Sequence, residues 1–445
     1  MSILDKASLI QIPSGYKSTK LYSLRPSNGD GDFTFARSSS GTRVNSEGLI
    51  ETMSANVPRL DYSGGASCAS LLLEQQRTNL ITYSESFDNA SWSKENVTIT
   101  SNNTTSPDGS TNADKIVETA NSGIHSFYNT SPITTSLTST ASIFYKKGTR
   151  RYFSIKLQIG ANSHTQVFDA DLVATTSSSS NGLTGVSTSI LSYGNGWVRA
   201  SVSGTNPSAS TSAYMVTSLS NAATPTFDAG NNNPTYQGSV TDYGYFYGAQ
   251  LEAGSYATSY IISNSGSQTT RTADVCNNAG TSATFNDSEG VLFAEIAALS
   301  DDLTQRALGI SDGTSSNRMS IVFNDGSSNA LRMFVTNPSG TKSYITNSFN
   351  ITEYNKICIK LNGTSLSFWV NGFEVHTDTL NSAFVDGTFN TLDFAFFGTN
   401  TPFYGKTKQL MVFDEALSDE ELSDLTGQVN LSFNNLATFY NYTIL

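Results

Sequence analysis

The sequence predicts a mainly β protein in which two tandem antiparallel β-sandwich (jelly-roll) domains follow an extended N-terminal anchoring arm. Short β-prone runs alternate with Ser, Asn and Gly turns along most of the 445 residues, as in sandwiches and jelly rolls. Aromatic residues make up 11% of the chain, which is more than disordered chains contain. Charged residues make up only 14%, so the polar surface is mainly uncharged, as is common in extracellular β proteins.

Residues 1–78 are predicted to form the anchoring arm. Turn-forming sequences recur at residues 13–15 (PSG), 28–31 (NGDG) and 63–65 (SGG), with only short β-prone pieces between them. Apolar residues are too sparse for an independent core, so we expect the arm to pack on a neighbouring subunit. The alternative, that these residues form strands completing the next domain, stays open. Residues 71–92 (LLLEQQRTNLITYSESFDNASW) are predicted to be the junction to the first sandwich.

Residues 79–263 are predicted to form the first jelly roll. Two strands are expected on either side of residues 147–150 (KGTR), where they would meet as a hairpin. The Ser/Thr tract at residues 175–180 is of low complexity, which favours an exposed loop. The two-residue period of a strand places three aromatic side chains on one face, namely Tyr243, Tyr245 and Tyr247.

Residues 264–288 are small, polar and turn-rich, which is typical of an interdomain linker. The second sandwich is predicted over residues 289–428. Its clearest feature is a three-stranded meander with turns at Asn362-Gly363 and Asn371-Gly372, because Asn-Gly suits type I′ turns, whose two central residues need φ > 0. Residues 429–445 are predicted to form a C-terminal β tail.

One helix is predicted at the end of the second sandwich. Ser418 and Glu421 form a capping box, in which the Ser side chain accepts from the Glu421 amide and the Glu side chain reaches back to the Ser amide. Leu422 and Leu425 supply the apolar face of this helix. Gly427 is expected to end it in the left-handed conformation.

The net charge of −12 argues against generic nucleic-acid binding, which needs a basic surface, and opposes docking on anionic membranes. No apolar run approaches the roughly 18–20 residues that span a bilayer, so no membrane insertion is expected. The first residues lack a basic segment followed by an apolar core, and the three cysteines (Cys68, Cys276 and Cys358) are odd in number. We therefore expect no secretory signal, no disulfide framework and synthesis in a reducing cytoplasm.

Enzymatic catalysis is not expected. None of the three histidines (His125, His164 and His376) lies in a G-x-S-x-G setting, and no Cys or His lies at zinc-ligand spacing. Paired carboxylates can hydrolyse glycosides, but each pair in this chain has a simpler explanation beside a turn, in a loop or before the helix. The pairs are Asp169 with Asp171, Asp301 with Asp302, and Asp414 with Glu415.

Two groups of residues are candidates for carbohydrate contacts. Exposed aromatic rings can stack on the apolar C–H faces of sugars, and the candidates are Trp92, Trp197, Trp369, Tyr243, Tyr245 and Tyr247. The densest basic patch could hold an anionic glycan or an acidic neighbouring subunit, and it consists of Lys146, Lys147, Arg150 and Arg151. Core packing is the alternative for each aromatic residue, and a solvated hairpin tip is the alternative for the basic patch.

Three stretches carry a resemblance to known protein families. Residues 6–51 (KASLIQIPSGYKSTKLYSLRPSNGDGDFTFARSSSGTRVNSEGLIE) resemble the opening of structural proteins of tailed phages, particularly fibre or appendage proteins of crAss-like and related phages. Residues 79–262 are similar to their carbohydrate-binding-module-like domain, through NLITYSESFDNASWSK, ASIFYKKGTRRYFSI, YGNGWVRASVSG and FYGAQLEAGSYATSYI. Residues 289–427 resemble a concanavalin or laminin-G-like domain, through LSFWVNGFEVH and LMVFDEALSDEELSDL.

The resemblance implies a phage virion protein, a head or tail fibre or appendage that adheres to host-surface glycans through weak sites repeated on each copy. It also implies a homotrimer whose N-terminal arm contacts other virion proteins. No cofactor is expected except calcium, for which the resemblance makes Asp312 and Asp325 candidate ligands. Two alternatives stay open: a capsid decoration or structural protein that binds no glycan, and a tailspike that degrades polysaccharide.

Overall fold

The computed structural model describes residues 3–132, 138–208 and 212–427. A short 3-10 helix (Ile3–Lys6) precedes the first strands, which are β1 (Ala7–Gln11), β2 (Tyr16–Lys17), β3 (Lys20–Leu21), β4 (Phe33–Ala36), β5 (Gly41–Val44), β6 (Ile50–Met53), β7 (Arg59–Asp61), β8 (Ser70–Leu73) and β9 (Arg77–Asn79). The predicted C-terminal tail, residues 429–445, lies outside the described residues.

The middle strands are β10 (Ser93–Glu95), β11 (Val97–Thr104), β12 (Ala113–Glu118), β13 (Ser122–Ile124), β14 (Ser126–Pro132), β15 (Thr138–Lys147), β16 (Tyr152–Ile159), β17 (Asn162–Asp169), β18 (Ala174–Asn181), β19 (Thr184–Ser192), β20 (Trp197–Thr205), β21 (Ser212–Ser220), β22 (Thr235–Gln237) and β23 (Tyr243–Ala253).

The remaining elements are β24 (Thr269–Arg271), β25 (Val275–Asn277), β26 (Glu289–Ala298), β27 (Arg306–Ser311), β28 (Arg318–Phe323), β29 (Leu331–Asn337), β30 (Gly340–Thr346), β31 (Asn355–Asn362), β32 (Ser365–Val370), β33 (Phe373–Thr379), β34 (Thr391–Asp393), β35 (Gly405–Phe413) and helix α1 (Asp419–Thr426). The mainly β class predicted from the sequence is confirmed.

The chain divides into two compact units, and the division differs from the predicted one. Of the described residues, unit 1 takes residues 3–36, 70–73 and 274–427, and unit 2 takes residues 37–69, 74–132, 138–208 and 212–273. Residues 1–78 are therefore shared between both units rather than set apart as an arm. Strand β1, for example, pairs with β35 in a sheet of unit 1.

The predicted linker, residues 264–288, also differs from expectation, because its residues are built into the two units. Strand β24 pairs with β9 in unit 2, and β25 pairs with β4 in unit 1. Arg271 and Cys276 are each only 1% exposed, so these residues are buried inside their units. The small polar residues of this segment include two closely packed strands and do not form a loose connection between domains.

Unit 1 contains two facing antiparallel sheets. The larger runs β33-β32-β31-β26-β35-β8, with β1 also paired to β35, and the smaller runs β30-β29-β28-β27-β34. A residual cavity of about 10 Å³ is lined by Leu361 and Val412 of the larger sheet and by Ile310 and Met319 of the smaller one. Apolar side chains from both sheets thus meet in one core, as in a β-sandwich.

The outer face of the larger sheet, which points away from this core, carries a second apolar cluster. Phe293, Cys358 and Trp369 of the sheet pack there with Leu422 of α1 and with Ile10 of β1. The helix and the first strand are therefore held by burial of apolar surface, which is the main favourable contribution to folding.

Helix α1 confirms the predicted capping box. The Glu421 amide donates to Ser418 Oγ (3.2 Å), and the Ser418 amide donates to Glu421 Oε2 (2.9 Å). Leu422 is fully buried and Leu425 packs against the same cluster, as expected. The predicted left-handed end is wrong, because Gly427 has φ −58° and ψ 141°, an extended conformation open to other residues.

The meander of β31, β32 and β33 is confirmed. Asn371 (φ 52°) and Gly372 (φ 93°) both adopt positive φ, as the type I′ turn requires. The first turn is shifted by one residue, because Asn362 still pairs with Ser365 in the ladder and Gly363 takes the positive φ.

Unit 2 is built around two six-stranded antiparallel sheets, in the orders β10-β14-β21-β16-β17-β18 and β11-β12-β23-β15-β20-β19. Phe153, Ile155 and Leu157 from the first sheet share one core with Ile143 and Phe246 from the second. This architecture agrees with the predicted jelly roll. Within the described residues, no helix has the length and apolar character that a membrane crossing needs.

Two local predictions for unit 2 are wrong. β15 and β16 belong to different sheets, so residues 148–151 connect the two layers and do not form a hairpin tip. The Ser/Thr tract at residues 175–180 is part of strand β18, which lies at the edge of its sheet and pairs with β17 alone. An edge strand exposes much of its surface to water, so β-branched Thr and small polar Ser can form it without apolar neighbours.

Candidate functional site

A polar groove of about 470 Å³ lies on the outer face of β31, β32 and β33, beside the start of α1. Two rows of directly paired residues form its floor. One row is Lys360, Ser367 and Thr377, and the other is Asn362, Ser365 and Thr379. Leu366, Glu374, Asp378 and Asp419 complete the lining. We call this surface the outer groove.

The alternation of side chains along each strand explains why the outer groove is polar. Ile359, Leu361 and Phe368 lie next to the floor residues in the sequence and are at most 1% exposed, because they point to the opposite face, into the sandwich core. Over the stretch that forms the groove, the same strands therefore have an apolar face toward the core and a polar outer face. The core determines which residues are left for the groove.

Several hydrogen-bonding groups in the outer groove are available to a ligand. Within the described part of the chain, the side chains of Asn362, Ser365 and Thr377 make no hydrogen bond to protein. Ser367 accepts from Nε1 of the buried Trp369 (3.0 Å), which lies two positions along β32 on the same outer face. Amide and hydroxyl groups on a rigid sheet can pair with the hydroxyl groups of a polar ligand without reorganising.

The charges in the outer groove are mixed. Lys360 Nζ contacts Asp419 Oδ1 at 3.0 Å, and Asp378 Oδ1 lies 3.4 Å from Lys342 Nζ outside the lining. Among the described residues, Glu374 makes no salt bridge within 4.0 Å. Burial, together with the charge of Asp419, raises the pKa of the Glu374 carboxyl, and Lys360 opposes the shift.

Glu374 reaches the groove through an irregularity in strand pairing. Phe368 pairs with His376, but the next residue of β32, Trp369, pairs with Glu374, so β33 has one extra residue at this point. Such a β-bulge resets the alternation of side chains. It places Glu374 on the same face as Thr377, although the two are three positions apart.

Four of the six aromatic residues predicted to stack on sugars are buried. Trp92, Trp197 and Tyr247 are each 1% exposed, and Trp369 is 6% exposed. Trp92 packs on Phe87, and its Nε1 donates to the Tyr83 carbonyl (2.8 Å). These side chains offer no ring face to a ligand, because large apolar groups gain most from leaving water.

Tyr243 and Tyr245 remain half-buried on unit 2. Their ring centroids lie 5.5 Å apart in an edge-to-face arrangement, and Lys115 Nζ lies 3.9 Å from the Tyr243 centroid. Neither residue is part of the lining of the outer groove. They stay candidates for contacts of their own.

The predicted basic patch is largely neutralised by carboxylates. Lys147 Nζ contacts Asp171 at 2.7 Å, and Arg151 binds both oxygens of Asp169 at 2.7 and 2.6 Å. Arg150 likewise binds both oxygens of Glu118 at 2.7 and 2.8 Å. Burial raises the pKa of Glu118, but the bonds from Arg150 and Tyr236 outweigh it and keep the pKa below its usual value.

Lys146, the remaining member of the basic patch, is half-buried on β15 and pairs in register with Trp197 and Tyr245. With three of the four cations held by carboxylates, the patch presents little net positive charge. An anionic glycan would have to displace those carboxylates, so the patch is a poor anion site.

The two calcium candidates lie far from each other. Asp312 follows β27 and Asp325 follows β28, at opposite ends of the β27–β28 ladder, which is itself roughly 17 Å long at ~3.3 Å per residue. Asp312 accepts from the Thr314 hydroxyl (2.6 Å) and the Asn317 amide (2.7 Å). Asp325 pairs with Arg332 at 2.6 Å. One ion cannot use both, and these partners already occupy the carboxylates.

Within the described ranges, no group of three or more His, Cys, Asp or Glu side chains is arranged to hold a metal ion. Both carboxylates of two predicted pairs are engaged in structural contacts, and in the third pair Glu415 lies 3.4 Å from Lys6 Nζ. Asp302 pairs with Arg306 (2.7 Å), and Asp301 accepts from the Asn329 amide (3.1 Å). Asp169 and Asp171 are the partners of the basic residues described above.

Sequence reasoning missed the residues of the outer groove. A signal was present, because Lys360, Asn362, Ser365, Ser367, Thr377 and Thr379 are the polar half of each alternating run in the predicted meander. The sequence-based prediction chose aromatic and basic residues as candidates for carbohydrate contacts instead. The hydroxyl and amide face of a strand is easily taken for ordinary solvent-exposed surface.

Comparison with known proteins gives one family match. Residues 279–423 match the model of the concanavalin A-like lectin/glucanases superfamily. This stretch includes every residue of the outer groove, and it confirms the concanavalin-like sandwich predicted for the second half of the chain. No curated protein sequence matches the chain.

Three solved structures illustrate the structural neighbours. The CBM40 module of the Ruminococcus gnavus IT-sialidase, bound to α2,3-sialyllactose, has 17% identity and a TM-score of 0.29, covering 34% of this chain and 92% of that one. A leech intramolecular trans-sialidase has 19% identity and a TM-score of 0.28, covering 33% and 24%. Domain 4 of the Geobacillus stearothermophilus arabinanase AbnA, in complex with arabinotriose, has 14% identity and a TM-score of 0.28, covering 35% and 73%.

Proposed function

We propose that the protein binds carbohydrate and that the outer groove of unit 1 is a glycan-binding site. The observation that carries the proposal is the coincidence of the groove with the concanavalin A-like lectin/glucanases match, since all lining residues fall within residues 279–423. Lectins of many kinds hold sugars with hydroxyl and amide groups, and Asn362, Ser365 and Thr377 offer such groups free of protein partners.

The expected affinity of one groove is low. It is shallow and open, and each hydrogen bond to a sugar hydroxyl contributes about 0.5–1.5 kcal/mol after desolvation. A few such bonds give a Kd of about 1 mM, or about −4 kcal/mol. Useful adhesion at this affinity needs several copies on one support, because linked sites raise the effective concentration.

We propose, at a finer level, that the protein is a head or tail fibre or appendage of a phage virion and attaches the particle to host-surface glycans. The resemblance of residues 6–51 and 79–262 to such proteins supports this role, as does the need for multivalency. A homotrimer in contact with other virion proteins would supply the repeated sites. Calcium and enzymatic activity form no part of the proposal.

Glycan binding is tested with the full-length protein on a glycan array, displayed in multiple copies, followed by titration of hits by NMR. Thr377→Val is the sharpest variant, because it removes the hydroxyl of a floor residue and keeps the β-branched shape. Thr98→Val, at an exposed strand position of unit 2, is the matched control. Ser365→Ala tests the second row of the floor.

We expect Thr377→Val and Ser365→Ala each to weaken the best hit by about 2- to 10-fold, the equivalent of one hydrogen bond, with no effect of Thr98→Val. Absence of any glycan binding, or equal loss in the control, would refute the groove. Release of reducing ends from a bound polysaccharide would instead favour a tailspike. A purified protein that stays monomeric, or a label that never decorates particles, would contradict the fibre.

A further inference from the structure

We infer that the outer groove selects glycans by charge, accepting neutral or amine-bearing sugars and rejecting acidic ones. The inference rests on the proposed function and names the class of ligand for that site. It starts from the charges that line the groove. Lys360 is the cation on the outer face of the groove, and the carboxylates of Glu374 and Asp419 are its anions. Asp378 also lines the groove, but it pairs in register with Leu366, on the strand face opposite Ser367 and Thr377.

Lys360, the cation of the groove, already has an ion-pair partner in the protein. Lys360 Nζ lies 3.0 Å from Asp419 Oδ1, so its charge is balanced before a ligand arrives. Asp378 is balanced in turn by Lys342, whose Nζ lies 3.4 Å away. An acidic sugar would have to compete with Asp419 for Lys360, and it would leave that carboxylate without its partner.

Glu374 has no direct ion pair among the described residues, and Lys360, which is paired with Asp419, compensates its charge only in part. Glu374 is exposed, it lies on the groove face through the β-bulge, and the described residues place no Lys, Arg or His within 4.0 Å of it. Its neighbour across the groove is Asp419 at the start of α1, which itself lies in a run of acids, Asp419-Glu420-Glu421. The net field that a ligand meets is therefore negative.

The chemistry of the ligand follows from this field. A carboxylate on a sugar ring bound near Glu374 is repelled, whereas a free amine, as on a deacetylated hexosamine, can pair with it. Since both charges are exposed to solvent, the effect is moderate, and we expect a change of about tenfold in affinity, or about 1.4 kcal/mol. Salt should reduce it, because the Debye length falls from about 10 Å at 0.1 M to about 3 Å at 1 M.

The test uses matched ligand pairs. Lactose and 3′-sialyllactose differ by one acidic sugar, and chitotriose and its deacetylated form differ by the amine. Binding of all four to the full-length protein is measured by NMR titration at low salt and again near 1 M NaCl. The variant is Glu374→Gln, and the control is Glu353→Gln, an exposed acid in the turn that precedes β31. Melting curves verify that both variants are folded.

We expect the affinities to fall in the order amine, neutral, acid. Glu374→Gln should reduce the ratio of amine to neutral affinity several-fold, and Glu353→Gln should not change it. The inference is overturned if the acidic member of a pair binds as well as its neutral partner, or if Glu374→Gln leaves the ratio unchanged. Failure of all four ligands, and of a wider array, would overturn the proposed glycan binding itself.

Discussion

Glu74→Gln is the substitution that most directly tests how unit 2 is held together. The Glu74 carboxylate is 3% exposed and contacts two guanidinium groups, Arg59 Nη1 at 2.5 Å and Arg271 Nη1 at 2.8 Å. It also accepts from the Ser259 amide (2.8 Å) and hydroxyl (2.6 Å). Both arginine side chains are at most 1% exposed, so neither can turn to water if its anion is lost.

The magnitude follows from the burial of these charges. Gln keeps the shape of Glu and still accepts through its amide oxygen, but it removes the negative charge that faces two buried guanidinium groups. Removing one partner of a buried ion pair costs about 3–5 kcal/mol, because the remaining charge stays desolvated. A domain of ordinary stability has about 5–15 kcal/mol in total, so the loss should be obvious.

The same cluster predicts a dependence on pH. Burial raises the pKa of Glu74, but the charges of Arg271 and Arg59 and the bonds from Ser259 outweigh burial and hold the pKa well below its ordinary value of 4.5. The stabilisation is therefore fully present above about pH 4.5 and is lost as the pH falls through the lower pKa of the folded state. The difference between wild type and Glu74→Gln should shrink in that acidic range.

The assay is urea unfolding of the full-length protein, monitored by tryptophan fluorescence, with wild type and variants compared at pH 7 and pH 3. Glu51→Gln is the matched control, since the Arg43–Glu51 pair (2.8 Å) has a carboxylate side chain that is 43% exposed. Such a pair contributes at most about 1 kcal/mol. A loss below 1 kcal/mol for Glu74→Gln, or a loss equal to that of the control, would refute the reasoning.

Three further predictions concern stability. Trp92→Ala should destabilise unit 2 by about 3–5 kcal/mol, because Trp92 is 1% exposed, whereas the half-buried Tyr243→Ala should cost clearly less in the same urea titration. Burial lowers the pKa of His164, and a hydrogen bond with Gln166 opposes the shift, so the unfolded chain binds a proton that the folded chain does not. The free energy of unfolding should therefore fall as the pH drops below about 6.5. His164→Leu should remove this part of the dependence of unfolding free energy on pH between pH 7.5 and 5.5, and an unchanged dependence would contradict the assignment. Ser418→Ala should cost about 1 kcal/mol through loss of the capping box of α1, measured by thermal unfolding, and a neutral effect would count against that cap.

Local sequence patterns predicted an element of the fold correctly where the pattern was compatible with only one type of secondary structure. The alternation Ile357, Ile359 and Leu361, followed by an Asn-Gly turn, allows a buried face only as a strand, and the meander formed as predicted. Ser418 and Glu421 cap α1 because both donors and acceptors of the box lie within four residues. Interactions between residues only a few positions apart can be predicted from the local sequence alone.

Pairings between distant segments could not be predicted in the same way. Ser8 Oγ donates to the Val412 carbonyl, 404 positions away, because β1 lies beside β35. Nothing in the five residues of β1 specifies that partner, and the sparse apolar residues of the N-terminal region as a whole suggested an arm without a core. The core exists, but it is supplied by residues 274–427, hundreds of positions later.

The candidate site was missed for a related reason. Trp92 and Trp197 were attractive because sugars stack on indoles, yet a strand buries its largest apolar groups first, and both became core. The basic run at residues 146–151 looked like an anion site because its partners, Glu118, Asp169 and Asp171, are remote in the sequence or were assigned to a separate turn. A run of basic residues in a sequence predicts a positively charged site only where the acidic residues that pair with it in the fold are also known.

The outer groove shows how strand register creates a site that composition does not reveal. Two-residue alternation alone would put Glu374 and Thr377 on opposite faces of β33, since they are three positions apart. The extra residue at the bulge shifts the alternation of side chains by one position. Glu374 therefore lies on the polar face with Thr377, and His376 remains paired with Phe368. Glu374, the groove carboxylate for which the described residues supply no direct ion pair, thus owes its position to a single inserted residue. Charge selectivity in this protein should therefore depend on the bulge as much as on the side chain that it turns outward.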